Sequence, residues 1–283
     1  MKGKLYLVAT PIGNLGDISL RALETLRIAD VVACEDTRHS QKLFNHHGLT
    51  GRLVSYHEHN EAARAAELVA RMTSGESVAL ISDAGTPAIS DPGFRLVRQA
   101  IEAGIDIVPV PGPAAFVAAA IASGLPTDSL FFGGFLPARS GERKRRLREC
   151  AAIPATLIFY EAPHRLAAAL ADCAAELGPR PAAVVRELTK LHEEILRGDL
   201  AQLAAAAAGK GLKGEIVIVI DRGVPPNAAA IGEASIASLV AGYEKSGLDR
   251  RDALKHAARD LGLSRSEAYR RLHSERIFES SGD

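Results

Sequence analysis

The groups in this chain best suited to moving a proton stand together just past the ends of apolar runs. In Arg186-Glu187-Leu188-Thr189-Lys190-Leu191-His192-Glu193, the couple Glu187 and Lys190 joins a carboxylate that can accept a hydroxyl proton to a cation that can stabilise the resulting oxyanion. An exposed ion pair on an edge hairpin is the structural alternative for the same residues. Cys34-Glu35-Asp36-Thr37-Arg38-His39 puts five polar residues after the run Val31 to Cys34. They read either as carboxylates and a cation at the mouth of a cleft or as a solvated loop closed by an Asp36–Arg38 salt bridge. Tyr56-His57-Glu58-His59-Asn60 and Phe159-Tyr160-Glu161-Ala162-Pro163-His164-Arg165 repeat the arrangement, the latter with Glu161 and Arg165 as a simple interdomain ion pair in its structural reading. A histidine metal site that includes His46 or His47 is conceivable, but no C-x-x-C or H-E-x-x-H spacing backs it, and no metal is expected.

A loop for a ligand is the second kind of signal. Leu80 to Pro92 leaves the apolar run Val78 to Ile81 and passes through Asp83, Gly85, Thr86 and Pro87 before a helix. Gly85 can take the positive φ of a tight turn and lets a ligand approach the backbone. Asp91 is expected to cap that helix, with Pro92 at its first position and Phe94, Leu96, Val97, Ala100 and Ile101 on its apolar face. Leu5 to Ala9 ends similarly in Thr10-Pro11-Ile12-Gly13, and Ile107 to Val110 ends in Pro111-Gly112-Pro113-Ala114. Three such strand ends could converge on one ligand. No G-x-G-x-x-G or G-K-[ST] follows them, which argues against nicotinamide dinucleotides and P-loop nucleotides.

The elements that must hold these loops alternate. Strand candidates Leu5 to Ala9, Val31 to Cys34, Arg52 to Tyr56, Val78 to Ile81 and Ile107 to Val110 are separated by helical patterns at 18–29, 60–73 and 92–103. That order predicts a mostly parallel α/β sheet over residues 1–112. The helix 113–123 is almost wholly apolar and is expected to be buried. Residues 113–222 read as a second α/β domain with strands Leu130 to Phe135, Thr156 to Tyr160, Ala183 to Arg186, Glu194 to Arg197 and Ile216 to Ile220. The short gap between Arg186 to Thr189 and Glu193 to Arg197 demands antiparallel pairing, hence a mixed sheet. Residues 223–283 read as a linker and a small helix–turn–helix-like module, with a capping box at Ser264-Arg265-Ser266-Glu267.

With 283 residues and a formal net charge of zero, the chain is large enough for two cores and is not a general polyanion coat. Any contact with nucleic acid must come from a local patch. The concentration of Arg139, Arg143, Lys144, Arg145, Arg146 and Arg148 against Glu142 is the clearest such patch, suited to phosphates. Nothing has the length of a membrane span or the pattern of a signal peptide, so a cytoplasmic protein is expected. Cys34, Cys150 and Cys173 are far apart and odd in number, which fits reduced thiols.

The strings VATPIGNLGD, ACEDTRHS, SYHEHNE, LISDAGTPAISDPG, VPGPAA, SGLPTD, GFLPARSGERKRRL, FYEAPHRL and VRELTKLHEEILRG together resemble the ribosomal RNA small subunit methyltransferase I family, from about Leu5 to Asp221. The resemblance implies the tetrapyrrole-methylase fold, a homodimer, and S-adenosylmethionine-dependent 2′-O-methylation of a cytidine ribose, cytidine 1402, in 16S rRNA. By matching motifs, cofactor contacts fall on Pro11, Asp83, Gly85, Thr86, Ile89, Ala114, Tyr160 and Leu188. Ala88 and Ala114 stand where many relatives carry Gly and Ser, so a hydroxyl contact at Ala114 is lost. Within such a site Asp36 or Glu187 is the candidate base, Lys190 the electrostatic stabiliser and Arg38 a phosphate or ribose anchor. Arg143, Lys144, Arg145 and Arg146 are the candidate RNA contacts. A methyltransferase of the same fold acting on a tetrapyrrole or other small molecule is the alternative, and would need neither the basic segment nor the terminal module. A non-enzymatic nucleic-acid regulator would leave the charged strand ends unexplained.

Overall fold

The computed structural model describes residues 2–209, 211, 213–223, 235–261, 263 and 267–272. They fall into two compact units, Met1–Arg222 and Gly223–Asp283. In the larger unit β1 (Lys4–Val8), β2 (Val31–Cys34), β3 (Leu53–Ser55), β4 (Val78–Leu80) and β5 (Asp106–Val110) form a wholly parallel sheet in the order β3-β2-β4-β1-β5. Its central strands are buried on both faces, as continuous apolar runs require when helices cover both sides. Leu5, Val31, Ala33, Val78 and Leu80 point to one side, against Leu68, Met72 and Leu96. These belong to α3 (Glu61–Thr73) and α4 (Phe94–Glu102). Val8, Val32, Cys34 and Ala79 point to the other, against Leu26 and Phe44, from α1 (Leu20–Ile28) and α2 (Thr37–His46).

The second sheet is mixed: β6 (Leu130–Phe135), β7 (Thr156–Glu161), β8 (Pro181–Arg186), β9 (Glu194–Asp199) and β10 (Ile216–Ile220) in the order β6-β7-β10-β8-β9. Only β6 and β7 run parallel, and Arg186 pairs with Glu194 in the antiparallel hairpin that the short gap demanded. One face packs on α6 (Ser140–Cys150), α7 (Leu166–Leu177) and α8 (Leu200–Ala207). The other packs on α5 (Ala115–Ser123) through Ala119 and Ala120. In the smaller unit, α9 (Ile236–Lys245), α10 (Arg250–Asp260) and a helical stretch at 267–272 share a core of Ile236, Val240, Ala253, Ala257, Ala268 and Leu272. Most of the expected linker and residues 264–266 of the expected capping box lie outside the described residues.

Some local expectations are corrected. The polar run after β2 is loop only at Glu35 and Asp36, and the Asp36–Arg38 salt bridge of that reading is present; Asp36 caps α2, whose apolar anchors Leu43 and Phe44 come late and so escape a pattern read from its start. α4 begins at Phe94 behind Gly93, so Asp91 is not its cap and Pro92 not its first residue. On that helix Phe94 and Ile101 are 73% and 60% exposed, and only Leu96 and Ala100 are fully buried. Helix α5 is apolar all round yet only half enclosed, because its small residues Ala119 and Ala120 meet the sheet while Val117 and Ile121 face outward. The three cysteines are buried and free.

Candidate active site

Strands β4, β1 and β5 are neighbours in a parallel sheet, so the loops that follow them leave from one edge and meet. Thr10 and Gly85 exchange backbone hydrogen bonds, N to O, of 2.8 and 3.1 Å. The Thr86 hydroxyl donates to the Pro113 carbonyl at 3.2 Å, and the Thr10 hydroxyl donates to the Ser82 carbonyl at 3.1 Å. Gly85 adopts φ +85°, the conformation that its type allows at no steric cost. From the second sheet the loop after β8 closes on the first loop. A Cβ at Gly13 would stand 3.0 Å from the Leu188 carbonyl oxygen and would collide with the stem of Lys190, so only glycine permits that approach.

Between these loops and the ends of β7 and β10 lies a cavity of about 360 Å³. Asp83, Gly85, Thr86, Ile89, Ala114 and Tyr160, all expected from the sequence, line it. Pro11 and Leu188 do not. Pro11 is buried beneath the first loop, where Ile12 takes the lining position, and Leu188 packs with the cluster between α5 and the second sheet. The lining further includes Phe116 and Glu215, to which the sequence pattern gave no role, Asp91, expected as a helix cap, and Phe135 and Glu161.

The residues expected to do acid–base work are placed otherwise. The Asp36 carboxylate accepts the Arg38 amide at 2.8 Å and its guanidinium at 2.9 and 3.2 Å, and those hydrogen bonds hold its carboxyl down at about 2. It stands outside the cavity wall and is a weak base. Glu187 Oε1 accepts Lys190 Nζ at 2.8 Å and the Glu215 amide at 3.0 Å, and the lysine hydrogen bond lowers its proton affinity. Burial works to lower Lys190, but Glu187, and Glu215 at 3.3 Å, outweigh it and raise its affinity for its proton. The couple is thus a closed ion pair beside the Gly214-Glu215 wall. Glu187 and Thr189 hold positive φ of 51° and 63° without being glycine, a strained turn pinned by those bonds.

The basic helix α6 divides by face. Arg143 is buried: its guanidinium reaches Asp172 at 2.6 Å and donates to the Pro137 and Ala138 carbonyls at 3.1 Å each. The expectation that it contacts RNA is therefore corrected, since a basic run on a helix must still turn one residue per turn toward the core. Lys144 leans on the same Asp172 at 3.5 Å. Arg145 and Arg146 point outward, paired loosely with Glu149 at 4.0 and 3.5 Å, and Arg146 also lies over the Phe131 ring.

Glu161 and Asp91 carry the site's less visible chemistry. Glu161 is fully buried, its Oε1 held by Arg165 and by the Ala162 amide at 2.7 Å, while Oε2 has no hydrogen-bond partner among the described residues. The ion pair with Arg165 lies within one turn of one segment rather than between domains. Asp91 is pushed up to about 6 by burial, then by the charge of Glu35, against the opposing Ser82 hydrogen bond, with Asp83 adding to the rise. Glu35 is itself raised by burial and by Asp83. The Asp-Pro sequence resembles a helix start, which masks Asp91 as a site residue; Glu161, an acid closing a buried strand, was legible only as a charge. Among the described residues no group of His, Cys, Asp and Glu could hold a metal ion.

The sequence model of the tetrapyrrole (corrin/porphyrin) methylases matches residues 4–204. Proteins called ribosomal RNA small subunit methyltransferase I are similar over most of the chain. That from Mesorhizobium japonicum is 49% identical, covering 99% of this chain and 94% of its own. That from Halalkalibacterium halodurans is 45% identical, covering 97% and 96%, and that from Pseudomonas aeruginosa 52%, covering 77% and 78%. Among solved structures, a cobalt-precorrin-4 methyltransferase of cobalamin biosynthesis superposes with a TM-score of 0.60 at 21% identity, covering 77% of this chain and 94% of that one. Diphthine synthase superposes with 0.61 at 19%, covering 77% and 90%. At such identities these two show a common fold.

Proposed function

This chain belongs to the ribosomal RNA small subunit methyltransferase I family of the tetrapyrrole methylases, and from that premise we propose that it methylates the ribose 2′-oxygen of cytidine 1402 in 16S rRNA with S-adenosylmethionine as donor. The near-full-length match to relatives of that name carries the reading. The cavity supports it: it is of a size for a nucleoside-bearing ligand, apolar where Ile89, Phe116 and Ile216 line it, and provided with acceptors at Asp83 and Glu161. The unpaired Oε2 of Glu161 calls for a donor, which an amine or ribose hydroxyl of a bound cofactor would supply. Asp83, Gly85, Thr86, Ile89, Ala114 and Tyr160 would hold the cofactor, with Pro11 and Leu188 supporting the loops behind them.

Bound S-adenosylmethionine supplies a methyl group on a good leaving group, so the protein's share is alignment and management of the hydroxyl proton. Residues 1–112 and 113–222 act as the two domains that clasp the cofactor, and residues 223–283 as an appended module. Arg145 and Arg146 grip rRNA phosphates, with Lys144 beside them and Arg38 near the cleft. The enzyme works in the cytoplasm as a homodimer, a pairing that would cover exposed apolar residues such as Val117 and Ile121. The test is transfer of labelled methyl to small ribosomal subunits lacking the modification, with the product nucleoside identified by mass spectrometry. A 2′-O-methylated cytidine is expected. No transfer to subunits or free rRNA, with cofactor binding intact, would refute the reading in favour of a small-molecule acceptor.

A further inference from the structure

We propose that Asp91 is the catalytic residue that accepts the hydroxyl proton during methyl transfer. The inference rests on the methyltransferase reading above and assigns a role that reading leaves open. Asp91 lines the cavity and also a second, open groove of about 350 Å³ along the start of α4, bounded by Glu61, Phe94, Arg95 and Arg98. It thus stands where a cofactor held in the cavity would meet an acceptor entering from outside. Of the other carboxylates near the cavity, Asp36 is tied to Arg38, Glu187 and Glu215 to Lys190, Glu161 Oε1 to Arg165 and Asp83 Oδ1 to the Asp36 amide at 3.2 Å, while Glu35 lies beside Asp91 but does not line the cavity. No ion pair among the described residues reaches Asp91.

The backbone places it deliberately. Ala88 and Ser90 hold φ of 67° and 62° although neither is glycine, and the loop folds back so tightly that a Cβ at Gly93 would stand 2.9 Å from the Leu80 side chain and 3.0 Å from the Ala88 Cβ. Strain of this kind persists only where the surroundings over-determine it. Several charged groups surround the carboxyl: Glu35 from the end of β2, with His57 beside it; Asp83 from the β4 loop; and Glu61 and Arg95 across the groove. Tyr160 feels the Asp91 charge from the opposite wall. Burial and its acidic neighbours make Asp91 a stronger base than Asp36, yet leave it ionised above neutrality, near the optimum for general base work.

In the reaction the ribose oxygen forms its bond to the methyl carbon, the carbon–sulfur electron pair stays on sulfur, and the hydroxyl proton passes to an Asp91 carboxylate oxygen. The resulting carboxylic acid then gives the proton to water through the groove.

The experiment compares full-length wild type and Asp91→Asn in single-turnover methylation of small subunits from pH 5 to 9, with S-adenosylmethionine affinity measured by calorimetry. The expected result is a loss of about 100-fold or more in rate, cofactor affinity within about threefold of wild type, and disappearance of a wild-type acid limb near pH 6. The variant should also melt higher than wild type at pH 7.5. The folded state binds the Asp91 proton more tightly than the unfolded chain does, so wild type loses stability as pH rises through about 6, and the variant does not. A rate within threefold of wild type, a persisting acid limb, or a variant that melts lower at every pH would overturn the proposal. Should Asp91→Asn fail to fold, Glu35→Gln takes its place: removing that negative neighbour must move the acid limb to lower pH, and an unmoved limb overturns the proposal. A wild type that transfers no methyl to RNA would instead refute the functional reading, and this inference with it.

Discussion

Replacing Arg143 by alanine should damage the fold, whereas the same change at Arg145, two residues along the same helix, should not. The Arg143 side chain is 4% exposed and its partner Asp172 11% exposed. The guanidinium meets Asp172 at 2.6 and 2.8 Å and satisfies two carbonyls besides, so its removal strands a buried carboxylate with only the Ser140 hydroxyl at 2.9 Å and Lys144 at 3.5 Å. Breaking one partner of a buried pair costs about 3–5 kcal/mol. At about 2–4 °C per kcal/mol for a unit of this size, the melting temperature should fall by about 6–20 °C. Arg145→Ala removes only an exposed contact at 4.0 Å and should stay within about 0.5 kcal/mol of wild type. Thermal and urea unfolding of both variants measure the contrast. Arg143→Met combined with Asp172→Leu should regain most of the loss, because a buried pair can be replaced by apolar groups of similar volume. An Arg143→Ala protein within about 1 kcal/mol of wild type would refute the argument, since no desolvated charge could then have been left behind.

Neutralising Arg145 and Arg146 together as glutamines should weaken binding to 16S rRNA and reduce the slope of log affinity against log salt by roughly 1.4–1.8, as two lost phosphate contacts require; filter binding across a salt series reads this, and cofactor affinity should not change. Glu161→Gln replaces one acceptor with a donor and weakens the hold on Arg165, so S-adenosylmethionine affinity by calorimetry should fall by about tenfold or more, the scale of one hydrogen bond to a charged group; undiminished affinity would show that Oε2 does not meet the cofactor.

Much of the architecture was present in the one-dimensional pattern. Apolar runs such as Val78 to Ile81 and Ile216 to Ile220, set between amphipathic stretches, could only be buried strands, and the short gap between Arg186 and Glu194 could close only as an antiparallel hairpin. Glycine and proline after β1, β4 and β5 marked the loops that do meet at the cavity. These are consequences of local chemistry: side-chain periodicity, backbone freedom at Gly85, and the reach of a short connection. What the pattern could not reveal was which side of each element faces what. Arg143 and Arg145 are both arginines in one basic run, and only the packing of α6 on α7 makes one a buried partner of Asp172 and leaves the other in solvent. Asp36 and Asp91 are both acids just beyond strand ends. Tertiary structure set Arg38 against the first and placed the second, with no ion pair among the described residues, between Glu35 and Asp83 at the cavity wall. Proton affinity depends on distances between groups far apart in the chain and on the water excluded from around them, and those come into being only when the two sheets and their loops are assembled.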